Sequence, residues 1–110
     1  MKVTVKELSN YEIFEDLIIS DGDREITGVY IGDLLSWVMG KAQSGDAWIT
    51  IMSNLNILAV ASLTDTSCII LAEGVTLDEE VLSTARQKEI NIISSSESIY
   101  DTAVFLSRIL

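Results

Sequence analysis

One short segment constrains the fold more than any other: residues 68–72 form a continuous apolar run, with the sequence CIILA. A run without polar alternation is typical of a strand that is buried on both faces of a parallel sheet. Such a strand needs helices on both sides, because crossover connections between parallel strands cover the faces of the sheet. The run therefore predicts a central strand in a layered α/β fold.

Other segments supply the remaining strands. Residues 26–31 and 47–52 are rich in β-branched and aromatic residues, as strands are. Residues 91–94 form a shorter segment of the same kind, and residues 11–14 are expected to form a first strand. Helical segments alternate with these strands, which implies right-handed βαβ units. The sequence predicts a small three-layer α/β/α domain with a mostly parallel sheet of four to five strands.

Helix boundaries can be predicted from capping residues. Asp33 has the position of an N-cap, and Gly40 that of the residue after the end of the same helix. Thr76 and Glu79 have the spacing of a capping box. The predicted helices span residues 4–10, 34–39, 55–63, 76–88 and, starting near residue 96 or 98, the C-terminal segment to residue 110. The chain has no proline, repeat or linker, so residues 1–110 are expected to form a single domain.

The charge of the chain excludes some partners. Seventeen acidic residues against seven basic ones give a formal net charge of −10. Neutralising nucleic-acid phosphates requires a basic face, and an acidic protein is repelled by anionic membranes. There is no apolar run of the ~18 to 20 residues that a membrane-spanning helix needs, and no signal-peptide pattern. The lone Cys68 agrees with a reducing compartment. We therefore expect no nucleic-acid or membrane partner and a cytoplasmic location.

The residue types needed for catalysis are missing. The chain has no histidine, which excludes His-based triads and imidazole acid–base catalysis. There is no phosphate-binding loop with the spacing that phosphoryl transfer needs. Cys68 lies in an apolar strand and is expected to be an inert thiol. The Asp21-Gly22-Asp23 turn lacks the later ligands of a calcium loop. The sequence predicts a protein without catalytic activity, cofactor or metal.

A binding site is expected beyond the carboxyl ends of the parallel strands, where loops meet helix N-termini. The loops at this predicted rim are rich in small and hydrogen-bonding residues. The alternative is that these residues are only caps and turn formers, which every helix start needs. The candidate rim residues are Gly32, Asp33, Ser53, Asn54, Asn56, Glu73, Gly74, Ser95 and Ser96.

The two tryptophans are costly to leave exposed. Trp48 lies in a predicted strand and is expected in the core. Trp37 lies on a short helix that is apolar nearly all round, beside Met39, and a domain of this size has little interior to cover it. Trp37 and Met39 are candidate interface residues for self-association or for docking on another protein. The alternative is that both pack inside the monomer.

Two signatures in the sequence resemble those of DRTGG domains and, more distantly, the N-terminal domain of HPr kinase/phosphorylase. The first is ITGVYIG at residues 26–32. The second is the strand-loop-helix segment at residues 48–62, followed by ILAEG at 70–74. In such domains an Asp-Arg-Thr tends to follow the second strand of this unit and a Thr-Gly-Gly the third. Here these positions read SNLN at residues 53–56 and AEG at residues 72–74, so only Gly74 remains.

The resemblance implies a regulatory attachment rather than an enzyme, because such domains occur beside CBS domains and ahead of kinase modules. The missing Asp-Arg pair removes the basic group that the rim would offer to an anion. Two hypotheses follow from the sequence. The chain is a non-catalytic regulatory or interaction domain that self-associates, as a homodimer, or docks on a partner protein; alternatively, it senses a small-molecule effector, a metabolite or a nucleotide, at the rim.

Overall fold

The computed structural model describes residues 2–110 and contains a mixed sheet flanked by helices. Its strands are β1 (Val3–Thr4), β2 (Phe14–Ile18), β3 (Glu25–Ile26), β4 (Gly28–Ile31), β5 (Asp46–Thr50), β6 (Cys68–Leu71) and β7 (Ile92–Ser95). A 3₁₀ helix spans Val5–Asn10, and the α-helices are α1 (Leu35–Lys41), α2 (Asn56–Thr64), α3 (Glu79–Lys88) and α4 (Ile99–Ile109). Within residues 2–110, no helix is long and apolar enough to cross a membrane.

The main sheet has five strands in the order β2-β7-β6-β5-β4. Strands β4 to β7 are parallel, whereas β2 pairs with β7 in the antiparallel direction. The predicted mostly parallel sheet is thus confirmed. Strands β1 and β3 form a separate antiparallel pair.

The central strands are buried on both faces, as their apolar sequence predicts. Every residue of β5 and β6 is buried. Side chains of alternate residues enter two different hydrophobic clusters, because successive residues of a strand point to opposite faces. Trp48 and Ile69 belong to the cluster covered by α1, α2 and α3, whereas Ile49 and Ile70 belong to the cluster covered by the 3₁₀ helix and α4. This arrangement is the predicted three-layer α/β/α fold.

Several boundary predictions were wrong. The strand expected at residues 11–14 as the first of the chain covers Phe14–Ile18, and a shorter strand, β1, precedes it. Asp33 does not cap α1, because its carboxylate bonds to the end of β5 instead, and Leu34 occupies the N-cap position. Gly40 lies inside α1 rather than beyond it.

The start of α3 also differs from the prediction. Asp78, and not Thr76, is its N-cap, and the Asp78 carboxylate accepts a 3.0 Å hydrogen bond from the backbone N–H of Val81. An Asp directly before the first helical residue satisfies a free N–H group and also favours the helix dipole. At α4, the cap predicted at residue 96 or 98 is Ser98, whose hydroxyl accepts a bond from Asp101 N.

One buried side chain fastens the loop after β2 to the sheet. The Asn91 side-chain oxygen accepts hydrogen bonds from Ser20 N and Asp21 N at 2.8 and 2.9 Å. Its amide nitrogen donates to the carbonyls of Asp21 and Ser67 at 2.8 and 2.9 Å. All four hydrogen bonds of the amide are made to the backbone, so Asn91 holds the start of this loop against the segment before β6.

We expect Asn91→Ala to lower the free energy of unfolding by about 2 kcal/mol or more, because it leaves backbone groups in a buried region without partners. Urea denaturation followed by circular dichroism measures this change. Asn56→Ala, at the exposed first residue of α2, is the control and should change stability by less than ~0.5 kcal/mol. A loss at residue 91 no larger than that of the control would contradict the role of Asn91.

Candidate functional site

The structure brings the candidate rim residues to one edge of the sheet. Because β4 to β7 are parallel, their carboxyl ends lie side by side. Gly32 and Asp33 follow β4, the SNLN segment (residues 53–56) follows β5, and Glu73 and Gly74 follow β6. Ser95 is the last residue of β7 and Ser96 follows it. The candidate rim residues therefore lie at the same edge of the sheet, and their hydrogen bonds decide what each residue can do.

The rim residues that follow β4 make hydrogen bonds within the protein. Asp33 Oδ1 accepts a 2.7 Å hydrogen bond from Thr50 Oγ1 and a 3.1 Å bond from Ile51 N. The Gly32 carbonyl accepts a 2.9 Å bond from the indole Nε1 of Trp48. These bonds fasten the end of β4 to β5 and satisfy the polar edge of a fully buried tryptophan.

The β6 end of the rim contains an unusual turn. Glu73 and Gly74 both have positive φ, +63° and +68°, in the left-handed region that disfavours residues other than glycine. Their N–H groups donate to the carbonyls of Glu97 and Ser95 at 2.8 and 3.1 Å. Glu73 Oε2 accepts a 3.2 Å bond from Ile99 N at the start of α4. The chain's own carboxylate thus lies at a helix N-terminus, the place where a ligand anion would be most favourable.

The two serines at the end of β7 differ in accessibility. Ser95 is fully buried, and its hydroxyl shares a 2.7 Å hydrogen bond with Thr102 of α4 and accepts a 3.2 Å bond from Glu97 N. Ser96 is exposed, and its N–H donates to the carbonyl of Ile13. Ser95 therefore connects the sheet to α4 and is not available to a ligand.

A shallow pocket of about 340 Å³ lies where the loop after β5 meets the start of α3. Asn54 Oδ1 accepts a 2.9 Å hydrogen bond from Asn56 N and so caps the first turn of α2. The charged groups of the pocket are both acidic, Asp78 and Glu80. An anionic ligand is disfavoured here, whereas a ligand that offers N–H or O–H groups fits the lining. The pocket is lined by Ser53, Asn54, Leu55, Asn56, Asp78, Glu80 and Val81.

Another pocket, about 370 Å³, lies at the opposite edge and was not predicted from the sequence. Its charged groups have mixed signs and include Arg24 and Lys88. Arg24 is held by Asp65 through a 3.0 Å ion pair and a 2.7 Å bond to the Asp65 carbonyl. Hydrogen bonding by Ser44 and the charge of Arg24 lower the pKa of the Asp65 carboxyl. The lining residues come from distant segments, so no local pattern in the sequence indicates this pocket.

The one cysteine has no chemical role at these sites. Cys68 is fully buried in β6, and burial raises the pKa of its thiol to about 12. The reactive form of cysteine is the thiolate, so the buried thiol is inert near neutral pH. Residues 2–110 contain no group of three or more metal-ligating side chains.

The two tryptophans have opposite environments. Trp48 is fully buried, as predicted. Trp37 is 58% exposed and Met39 is 48% exposed, so the alternative that both pack inside the monomer was wrong. The ammonium of Lys41 lies 4.5 Å from the centre of the Trp37 ring. An exposed tryptophan next to an exposed methionine is a feature of interaction surfaces.

Comparison with known proteins identifies the family. The sequence matches the family model of the DRTGG domain over residues 1–109. The chain belongs to the DRTGG domain family. The more distant resemblance to HPr kinase/phosphorylase stays a prediction. No protein of curated function matches the sequence significantly.

A solved structure has a similar fold. It is the crystal structure of the CBS and DRTGG domains of the regulatory region of Clostridium perfringens pyrophosphatase, complexed with the activator diadenosine tetraphosphate. The TM-score is 0.68 at 18% sequence identity, and the match covers 82% of this chain and 40% of that chain. The DRTGG chain described here thus spans less than half of that regulatory region, in which the DRTGG domain occurs beside CBS domains.

The left-handed turn explains one departure from the DRTGG signature. A glycine at residue 73 would adopt a φ of +63° without strain, whereas Glu73 offsets the strain by capping α4. We expect Glu73→Ala to be less stable than Glu73→Gly by about 1 kcal/mol, since both variants lose the cap and only alanine keeps the strain. Urea denaturation of the two variants measures the difference.

Glu97 provides the matched control, because its φ is not positive. Alanine should be at least as stable as glycine at residue 97, the reverse of the order at residue 73. The same order at both residues would contradict strain at Glu73.

Proposed function

We propose that this DRTGG domain is a non-catalytic regulatory module that acts by self-association through an exposed apolar surface around Trp37 and Met39. The observation that carries the proposal is the concentration of exposed large hydrophobic side chains in one part of the chain. Seven of the ten such residues lie between residues 31 and 63. They belong to β4, α1, α2 and the loops beside them, and these elements are neighbours because α1 packs against both β4 and α2. We call the seven residues the apolar surface: Ile31, Leu34, Trp37, Met39, Ile51, Leu55 and Leu63.

The exposure of these side chains is not a consequence of a missing core. The inward sides of α1 and α2 are well packed, with Val38, Ile57 and Leu58 fully or almost fully buried. The outward sides carry large apolar side chains among polar ones: Trp37 and Met39 are exposed on α1 and Leu63, 74% exposed, on α2. The exposed part of these apolar side chains does not stabilise the monomer, so a partner surface accounts for it better.

The distribution of charge supports a second copy of the chain as the partner. Residues 28–64 contain only two acidic residues, Asp33 and Asp46, and one basic residue, Lys41. The remaining residues carry the other fifteen acids and six bases. Two copies with a net charge of −10 repel each other through most of their surface. They can approach through the segment that carries almost no charge, where apolar area is also available.

A second candidate function is the binding of a small effector at the rim. Two observations favour it: the pocket of about 340 Å³ at the start of α3, and the activator present in the related regulatory region. The acidic lining and the Glu73 carboxylate at α4 disfavour a phosphate-rich ligand, so an uncharged or cationic effector fits better. Such a ligand would raise the midpoint of thermal unfolding, with or without self-association.

Self-association is tested by sedimentation velocity over a range of protein concentrations. We expect a monomer–dimer equilibrium in which Trp37→Ala raises the dissociation constant at least about tenfold, since buried tryptophans are frequent hot spots. Tyr100→Ala is the matched control: Tyr100 is an aromatic residue on α4, 75% exposed and outside the apolar surface, and its loss should leave the equilibrium unchanged. A wild-type chain that stays monomeric at the highest concentrations would contradict the proposal.

A further inference from the structure

The two edges of the five-stranded sheet differ in charge. At one edge, β2 carries Glu15 and Asp16 in its middle, both exposed. Charged side chains on an edge strand prevent pairing with another chain. At the other edge, β4 and the glycine after it read GVYIG, at residues 28–32, without any charged residue or proline. Within the described residues 2–110, no strand pairs with the outer side of β4.

An uncharged edge strand is a template for pairing, because its outward N–H and C=O groups lack strand partners. The side chains of β4 do not close this edge. All four residues are at least partly exposed, and Ile31 is 46% exposed. The edge is also continuous with the apolar surface, since Ile31 belongs to both and Leu34 and Trp37 follow within six residues.

We infer that two copies of this chain pair through β4 in the antiparallel direction and so join their two five-stranded sheets into one continuous sheet. This inference rests on the proposed self-association and specifies its geometry. A closed dimer with two-fold symmetry uses the same patch on both copies. An antiparallel ladder has this symmetry, because residues that face each other exchange equivalent hydrogen bonds, whereas a parallel ladder is offset.

Antiparallel pairing also agrees with the positions of the charges. Asp33 lies two residues beyond β4, so the two Asp33 carboxylates come to opposite ends of the paired strands. A parallel arrangement would bring them together, at a cost in repulsion. The paired residues themselves are uncharged on both copies.

The helices meet in the same arrangement. A two-fold axis perpendicular to the sheet keeps α1 of both copies on the same face. Helix α1 packs against β4 and α2. Strands lie ~4.8 Å apart and packed helices about 8–10 Å apart, so one helix covers about two strands. The two α1 helices therefore reach contact distance above the paired β4 strands, where Trp37 and Leu34 are exposed. Edge pairing and burial of these side chains occur together.

Hydrogen–deuterium exchange of the 110-residue chain tests the pairing. Alternate amides of β4 already bond to β5, whereas the outward-pointing amides within Gly28–Ile31 should exchange at least tenfold more slowly at protein concentrations above the dimer dissociation constant than below it. The amides of β2, at the charged edge, should exchange at the same rate at both concentrations. A dimer in which exchange at Gly28–Ile31 is independent of concentration would overturn edge pairing but leave the proposed self-association intact. A monomer at all concentrations would overturn both.

A pair of lysine substitutions gives a second test. Ile31→Lys places a charge on the β4 edge and should weaken the dimer at least tenfold. Ile19→Lys adds the same charge at a residue of similar exposure, 38%, just after β2, and should leave the dissociation constant within about twofold of the wild type. Circular dichroism confirms that both variants fold. Equal effects of the two substitutions would overturn the assignment to β4.

Discussion

Strands β5 and β6 are buried on both faces, and the positions of the other elements depend on that constraint. Trp48 shows how burial affects a neighbouring strand. Its ring packs in the cluster under α1, α2 and α3, so its indole N–H needs a hydrogen-bond acceptor inside the protein. The indole N–H donates to the carbonyl of Gly32, and this hydrogen bond holds the end of β4 beside β5. The opposite face is closed by α4 and the 3₁₀ helix. The helical layers on both faces and the strands on either side together cover β5 and β6.

Hydrogen bonds within the protein also occupy several polar groups of the rim. Asp33 is used to fasten two strands, Ser95 is bonded to Thr102, and Glu73 caps α4. These are the structural roles that the sequence allowed as the alternative to a binding site. The apolar surface and the uncharged edge of β4 have no such role within the monomer. In a chain with a net charge of −10, this surface is where a second copy meets the least repulsion.

The sequence predicted the layers and the central strands because burial leaves a direct signature, as in the CIILA run at residues 68–72. The role of Asp33 and the strain at Glu73 could not be predicted, since they depend on contacts between distant residues, whereas the cap of α4 at Ser98 is local and was one of the two residues predicted. Asp33 has the local pattern of an N-cap, but its carboxylate accepts a hydrogen bond from Thr50 and does not cap α1. The positive φ of Glu73 has no local signal at a non-glycine residue. The scarcity of charge in residues 28–64 is visible in the sequence, but its meaning depends on β4 being an edge strand.

Self-association through an uncharged surface has to overcome the repulsion between the acidic surfaces of two copies. The dependence of the dimer dissociation constant on ionic strength tests this most directly. The dissociation constant of the dimer should be measured by sedimentation equilibrium at low and at high concentrations of sodium chloride. Salt screens repulsion between the acidic surfaces, so the account predicts that the dimer becomes tighter as salt is added. A dimer that weakens with salt would mean that ion pairs hold it together, which would contradict the account.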